Sequence, residues 1–171
     1  MSTAARQGSR EVRAFVGLGA NLGGDLAATL RLALRDLRAL SGCELVAVSS
    51  AYRSAPVDAG GPDYLNAVAE LRTCMEPLEL LDALQAIEQA HGRERPYVNA
   101  PRTLDLDLLL YGQDQLSEAR LSVPHPRLHQ RAFVLKPLLE LAPDLQVSGL
   151  PPLQECLLCL QDQAIECQGA L

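Results

Sequence analysis

A chain of 171 residues, 48% apolar and 21% charged, has material for one buried core without disulfide staples. Its net charge of −6, with no run of basic residues, argues against a nucleic-acid surface. No apolar stretch approaches the roughly 20 residues that a membrane span requires. Lys136 is the only lysine among 15 basic residues, so the available cations are almost all planar, bidentate guanidinium groups. Cys43, Cys74, Cys156, Cys159 and Cys167 are scattered and odd in number, which suits a reducing compartment. Cys156 and Cys159 form a C-x-x-C without a second pair, in a run where Leu153, Leu157 and Leu160 recur at helical spacing. They read as small apolar residues on a helix rather than a metal or redox site. Residues 1–12 lack the apolar core of a signal peptide and read as a disordered polar tail before a single domain at 13–171.

Residues 13–19 (RAFVGLG) form an apolar run stopped by glycine, which predicts a first strand. Asp25 is placed to cap a helix whose Leu26, Leu30, Leu34, Leu37 and Leu40 share one face, closed by Gly42. Residues 44–53 (ELVAVSSAYR) alternate as one strand, and Ser54–Asp63, with Pro56, Gly60, Gly61 and Pro62, predicts a mobile loop. Residues 64–73 (YLNAVAELRT) alternate again, with Leu65, Ala67 and Ala69 opposite Tyr64, Asn66 and Val68. Pro77 opens a second helix with a stripe of Leu80, Leu84, Ile87 and His91, ended by Gly92. Arg93–Arg102, with three Arg and two Pro, predicts a second mobile loop. In residues 103–111 (TLDLDLLLY), Leu104, Leu106, Leu108 and Leu110 take one strand face. Asp105, Asp107, Leu109 and Tyr111 take the other. Gly112 turns the chain, a short helix follows Val123–Pro126, and a last helix begins near Pro152. Two β-α-β units with a hairpin-type neighbour between them predict a ferredoxin-like α+β sandwich, its sheet rich in antiparallel pairs.

Asp105-Leu106-Asp107 carries the sharpest chemical signal. Carboxylates two apart on a strand project from one face, and keeping both ionised calls for a cation. Mg²⁺, which retains waters and shares itself with phosphates, suits such a pair. Arg93, Arg95 and Arg102 lie just upstream, where guanidinium groups could meet phosphate oxygens. Gly17-Leu18-Gly19-Ala20-Asn21-Leu22-Gly23 looks like a glycine-rich turn between strand and helix. Its spacing is not that of a dinucleotide fingerprint, and the next strand ends in Arg53-Ser54 rather than an acid. His125 is held between Pro124 and Pro126, with His129 and Arg131 following. On these residues alone three readings stand: a pyrophosphoryl or phosphoryl transferase, a metal-dependent phosphodiesterase, and a metal-free ligand-binding domain.

The segments VGLGANLG, SSAYRSAPV, DYLNAVAEL, IEQAHGRER, APRTLDLDLLLYG and RLSVPHPRLHQRAFVLKPLLELAP resemble one family over about residues 13–147. That family is the 6-hydroxymethyl-7,8-dihydropterin pyrophosphokinases of folate biosynthesis. The resemblance implies transfer of pyrophosphate from ATP to the hydroxymethyl group of the reduced pterin, on a ferredoxin-like core with three mobile catalytic loops. It implies that Asp105 and Asp107 hold two Mg²⁺ ions and act in catalysis with Arg95 and Arg102. The matching ATP contacts are Gln85, Glu88, Arg93, Arg95, Arg102, Leu108, Arg120, Leu121, Ser122, His125 and Arg131. Tyr64 and Phe133 match the rings that sandwich the pterin, and Asn66 the residue that bonds its edge. Ser54, Ala55 and Val57, with backbone at Leu45–Val48, border the same pocket. The implied partners are small molecules only, with no nucleic acid and no membrane, for a cytoplasmic monomer. Val98 and Asn99 stand where some members carry a basic residue and Trp, and Pro126 replaces an aromatic. Residues 148–171 match no part of the pattern.

Overall fold

β1 (Val12–Ala20) sits in the middle of an antiparallel sheet, with β4 (Tyr64–Thr73) on one side and β5 (Asp105–Tyr111) on the other. The computed structural model from which this follows describes residues 10–56, 60–92 and 103–171. β2 (Cys43–Val48) and β3 (Ala51–Ser54) share the far edge of β4, and β8 (Ile165–Gly169) pairs with β3. The order β5-β1-β4-β3-β8, with β2 also on β4, is the split β-α-β arrangement of a ferredoxin-like fold. β6 (Leu116–Ser117) and β7 (Ser122–Val123) make a separate small hairpin.

Two helices cover one face. α1 (Leu26–Arg38) starts where Asp25 Oδ1 accepts the Ala28 N–H at 2.9 Å, and Arg35 and Arg38 occupy its last turn. It buries Leu30, Ala33, Leu34 and Leu37. α2 (Pro77–Ala90) starts with Pro77 inside a Glu76–Glu79 capping box and buries Leu80, Leu81, Leu84 and Ile87. His91 leaves the expected apolar stripe. Its Nε2 pairs with Asp36 Oδ2 at 2.8 Å, tying the end of α2 to α1. The second face is covered by α3 (Ala132–Leu141) and the short α4 (Leu153–Leu158), which pack on Phe15, Val68, Leu109 and Leu110. That second core omits the Gly19, Asn66 and Asp105 end of the sheet.

Three expectations need correction. Residues 44–53 form two strands, because Ser49 Oγ accepts the Val68 N–H at 2.9 Å and its own N–H goes to the Val68 carbonyl. The ladder is broken there by a side chain that imitates backbone. The parity of β5 reverses part-way. Leu108 pairs with Val16 and Leu110 with Phe15, so Leu109 is the extra residue of a bulge. Leu106 and Leu108 therefore join the first core, whereas Leu109 and Leu110 join the second and Tyr111 returns to the first. Finally, the last helix does begin next to Pro152, but Cys159 and Leu160, expected on it, lie beyond its end at Leu158, and the unexpected polar strand β8 follows.

Leu84 is fully buried between α2 and the sheet, whereas Leu158 is 69% exposed. Leu84→Ala should lower stability by about 2–5 kcal/mol, and Leu158→Ala should stay within about 0.5 kcal/mol of wild type. Urea unfolding with matched m values checks both.

Candidate active site

The register places Asp107 beside Gly17 and Asp105 beside Gly19, with Val68 and Asn66 on the other flank of those glycines. Of the glycines expected in a turn, Gly17 and Gly19 lie inside β1 instead, and Gly23 lies in the bend before α1. A Cβ on Gly19 would stand 3.4 Å from Asn66 Oδ1 and 3.8 Å from the Tyr64 ring, so glycine keeps the floor between acids and amide low. Asp105 and Asp107 are both half-buried on this face, roughly 7 Å apart along the strand.

A cleft of about 300 Å³ opens along the free edge of β5. It gathers Asp105, Asp107 and Leu108 with Gln85 and Glu88 of α2, Arg120–Ser122 of the small hairpin, and His125. These residues were expected together from the resemblance, and one wall holds them. Glu118 and Ala119 also line the cleft. Nothing in the sequence singled them out, because the β6–β7 turn is too short to show a period.

Glu88 is buried, and its Oε1 accepts the Leu106 N–H at 2.7 Å. The bond satisfies an edge-strand donor and fixes the stretch of β5 between the two aspartates. Arg120 hydrogen-bonds Asp82 of α2, both side chains being more than half exposed. Such a surface pair is weak enough to exchange for a phosphate. His125 donates its N–H to the bulged Leu109 carbonyl at 2.9 Å, and its Nδ1 accepts the Arg127 N–H at 3.1 Å. That acceptor role puts the ring proton on Nε2, where it can be donated. Burial, then the Arg131 charge, pull the imidazole down to about 4, against a smaller upward pull from Asp105.

The remaining expected residues lie beyond the cleft lining. Asn66 is buried, with Nδ2 donating to Ser54 Oγ at 2.8 Å and to the Tyr52 carbonyl at 3.3 Å. Both of its N–H groups are used, which leaves Oδ1 as an acceptor. Tyr64 is half-buried two residues earlier on the same face, and Ala55 is exposed just after β3. The Arg131 guanidinium stands 5.5 Å from the centre of the half-buried Phe133 ring at the start of α3, within cation–π range. Leu45–Val48 pair with the far half of β4, at Ala69–Leu71, and are not brought to the site. Val57, Arg93, Arg95 and Arg102 lie outside the described residues.

The acid pair suits a hard cation. Among the described residues no three His, Cys, Asp or Glu side chains are arranged to hold one metal ion, so water and phosphate would complete a metal's shell.

A family model described as 7,8-dihydro-6-hydroxymethylpterin-pyrophosphokinase (HPPK) matches residues 15–143. The chain belongs to this family. It is 46% identical over 155 residues to the 2-amino-4-hydroxy-6-hydroxymethyldihydropteridine pyrophosphokinase of Pseudomonas aeruginosa, covering 90% of this chain and 95% of that one. Over 131 residues it is 49% identical to the like-named protein of Synechocystis, covering 77% and 67%. The solved wild-type HPPK-DHPS of Plasmodium falciparum has the same fold, with a TM-score of 0.74 at 13% identity. That likeness covers 90% of this chain and 45% of the Plasmodium chain, so this chain spans about half its length. As an HPPK, the chain has its LDLD strand, VPHP segment and Asn66 placed within one sheet and its margins.

The lowered His125 has a consequence for stability. Between 6.5 and about 4 the unfolded chain takes up a proton that the folded chain refuses, so stability falls as pH drops through that window. NMR of the free protein should show a His125 midpoint near 4, and His125→Gln should flatten the loss of melting temperature across it. A midpoint at 6.5 or above would contradict the burial argument.

Proposed function

We propose that this chain transfers the pyrophosphoryl group of ATP to the hydroxymethyl oxygen of 6-hydroxymethyl-7,8-dihydropterin, releasing AMP, in folate biosynthesis. The observation that carries the reading is the Asp105–Asp107 pair on one strand face, between a cleft and the Tyr64–Asn66 surface, in a chain of the HPPK family. The pterin hydroxymethyl oxygen attacks the β-phosphorus in line. The bond from that phosphorus to the α-phosphate oxygen breaks, AMP departs, and the hydroxyl proton passes to solvent.

Positioning and charge stabilisation do most of the work in such transfers. ATP occupies the cleft beside Gln85, Leu108, Leu121 and Ser122, with Glu88 holding β5 in place. His125 offers Nε2–H to a phosphate oxygen while neutral, and Arg120 exchanges Asp82 for phosphate. Arg93, Arg95, Arg102 and Arg131 supply further guanidinium contacts. Tyr64 and Phe133 sandwich the pterin, Asn66 Oδ1 accepts from its edge, and Ser54, Ala55 and Val57 border it. Two Mg²⁺ ions held by Asp105 and Asp107 would neutralise phosphate charge and orient the reacting oxygens. All these side chains come from one chain, so a monomer suffices. The five cysteines are free, in keeping with a cytoplasmic enzyme.

Incubation with ATP, Mg²⁺ and the reduced pterin should yield AMP and pterin diphosphate in equal amounts. Their absence would refute the assignment. Asp105→Ala and Asp107→Ala should each cut turnover by at least about a hundredfold, since a metal ligand is worth several kcal/mol at the transition state. Undiminished activity in either variant would refute the metal-holding role of that carboxylate. Tyr64→Ala and Phe133→Ala should weaken pterin binding about 2–10-fold through lost stacking, with little change for ATP. Calorimetry on each ligand separates the two effects.

A further inference from the structure

Glu140, at the C-terminal end of α3, gathers three donors from the junction of β2 and β3. Its Oε2 accepts the Ser50 N–H at 2.9 Å and the Tyr52 phenol at 3.1 Å, and its Oε1 accepts the Ser50 hydroxyl at 2.6 Å. The junction is where the β4 ladder is interrupted, so the Ser50 N–H finds its acceptor 90 positions further along the chain. Tyr52 is buried, and burial first, then the Glu140 charge, push its phenol up to about 12. It therefore remains a donor across any working pH.

The elements joined here, α3 and β3, carry residues assigned to the pterin under the proposed function. Phe133 lies at the start of α3, and Glu140 follows two helical turns later on the same side. Tyr52 and Ser54 lie on β3, where the Tyr52 carbonyl and Ser54 Oγ take both Asn66 N–H groups. A shift of β3 would move the two acceptors that orient the Asn66 amide, and a shift of α3 would carry Phe133 with it.

We propose that Glu140 is a positioning residue for the pterin slot, which by gripping Ser50 and Tyr52 sets the spacing between the Phe133 wall and the Ser54–Asn66 wall. This inference rests on the pterin pyrophosphokinase reading. Glu140 itself touches neither substrate. Its carboxylate lies on the protein surface, and its effect passes through hydrogen bonds that a charge strengthens.

Glu140→Gln keeps the size of the side chain but sets an amide donor against the Ser50 and Tyr52 donors. Its dissociation constant for the reduced pterin should rise about fivefold or more, from the loss of charge-assisted bonds. That for a non-hydrolysable ATP analogue with Mg²⁺ should stay within about twofold, because the cleft lies on the β5 side of the sheet. Tyr52→Phe, a milder change that carries the test if Glu140→Gln fails to fold, should shift pterin binding the same way by less. The double variant should fall short of the product of the two effects, since both act through one network. Unchanged pterin affinity in a folded Glu140→Gln protein would overturn the proposal. Equal weakening of both ligands would also overturn it, as the mark of a merely structural residue. A wild-type chain that binds no reduced pterin would overturn the proposed function itself, and this inference with it.

Discussion

Leu109 stands opposite no residue of β1, since Leu108 pairs with Val16 and Leu110 with Phe15, and its carbonyl accepts the His125 N–H at 2.9 Å. One extra residue thus does two things. It lets β5 carry carboxylates on the second face at Asp105 and Asp107, yet bury Leu109 and Leu110 on that same side further along. It also frees a carbonyl from the ladder to hold the VPHP segment. A regular strand would keep strict alternation and give up one of these features.

The two cores divide the labour. The first is closed by α1 and α2, and it fixes the sheet on which the acids are mounted. The second, under α3 and α4, covers only part of the opposite face. The uncovered end is floored by Gly17 and Gly19, which contribute backbone without side chains between the Asn66 and Asp105 flanks. Asp105, Asp107, Tyr64 and Asn66 are thereby held on strands, where packing limits their motion, while exchangeable contacts such as Arg120–Asp82 stay on the hairpin margin.

Much of this was legible in the residues. The carboxylate pair, the Asp25 cap, the Pro77 helix start and the Leu80–Leu84–Ile87 stripe follow from local chemistry, and the structure agrees with each. What escaped depends on partners distant in sequence. The Leu108–Leu110 run conceals its bulge, because an all-apolar segment looks alike whichever face it presents. The break at Ser49 and Ser50 needs Val68 and Glu140 to explain it. β8 is polar, mostly exposed and five residues long, and becomes a strand only because β3 offers an edge. The site glycines resembled a phosphate-binding turn because G-x-G serves a low strand floor as readily as a loop.

Electrostatics gives the arrangement its final logic. Within the cleft, Glu88, Asp105, Asp107 and Glu118 face one Arg, Arg120, among the described lining residues. The carboxylate of Glu88 accepts the Leu106 N–H, and the chain as a whole carries −6. A polyphosphate brought there alone would meet repulsion that a low-dielectric wall strengthens. Under the proposed function, a divalent cation at the acid pair would offset phosphate charge at that point. Guanidinium groups from beyond the described wall would add the rest.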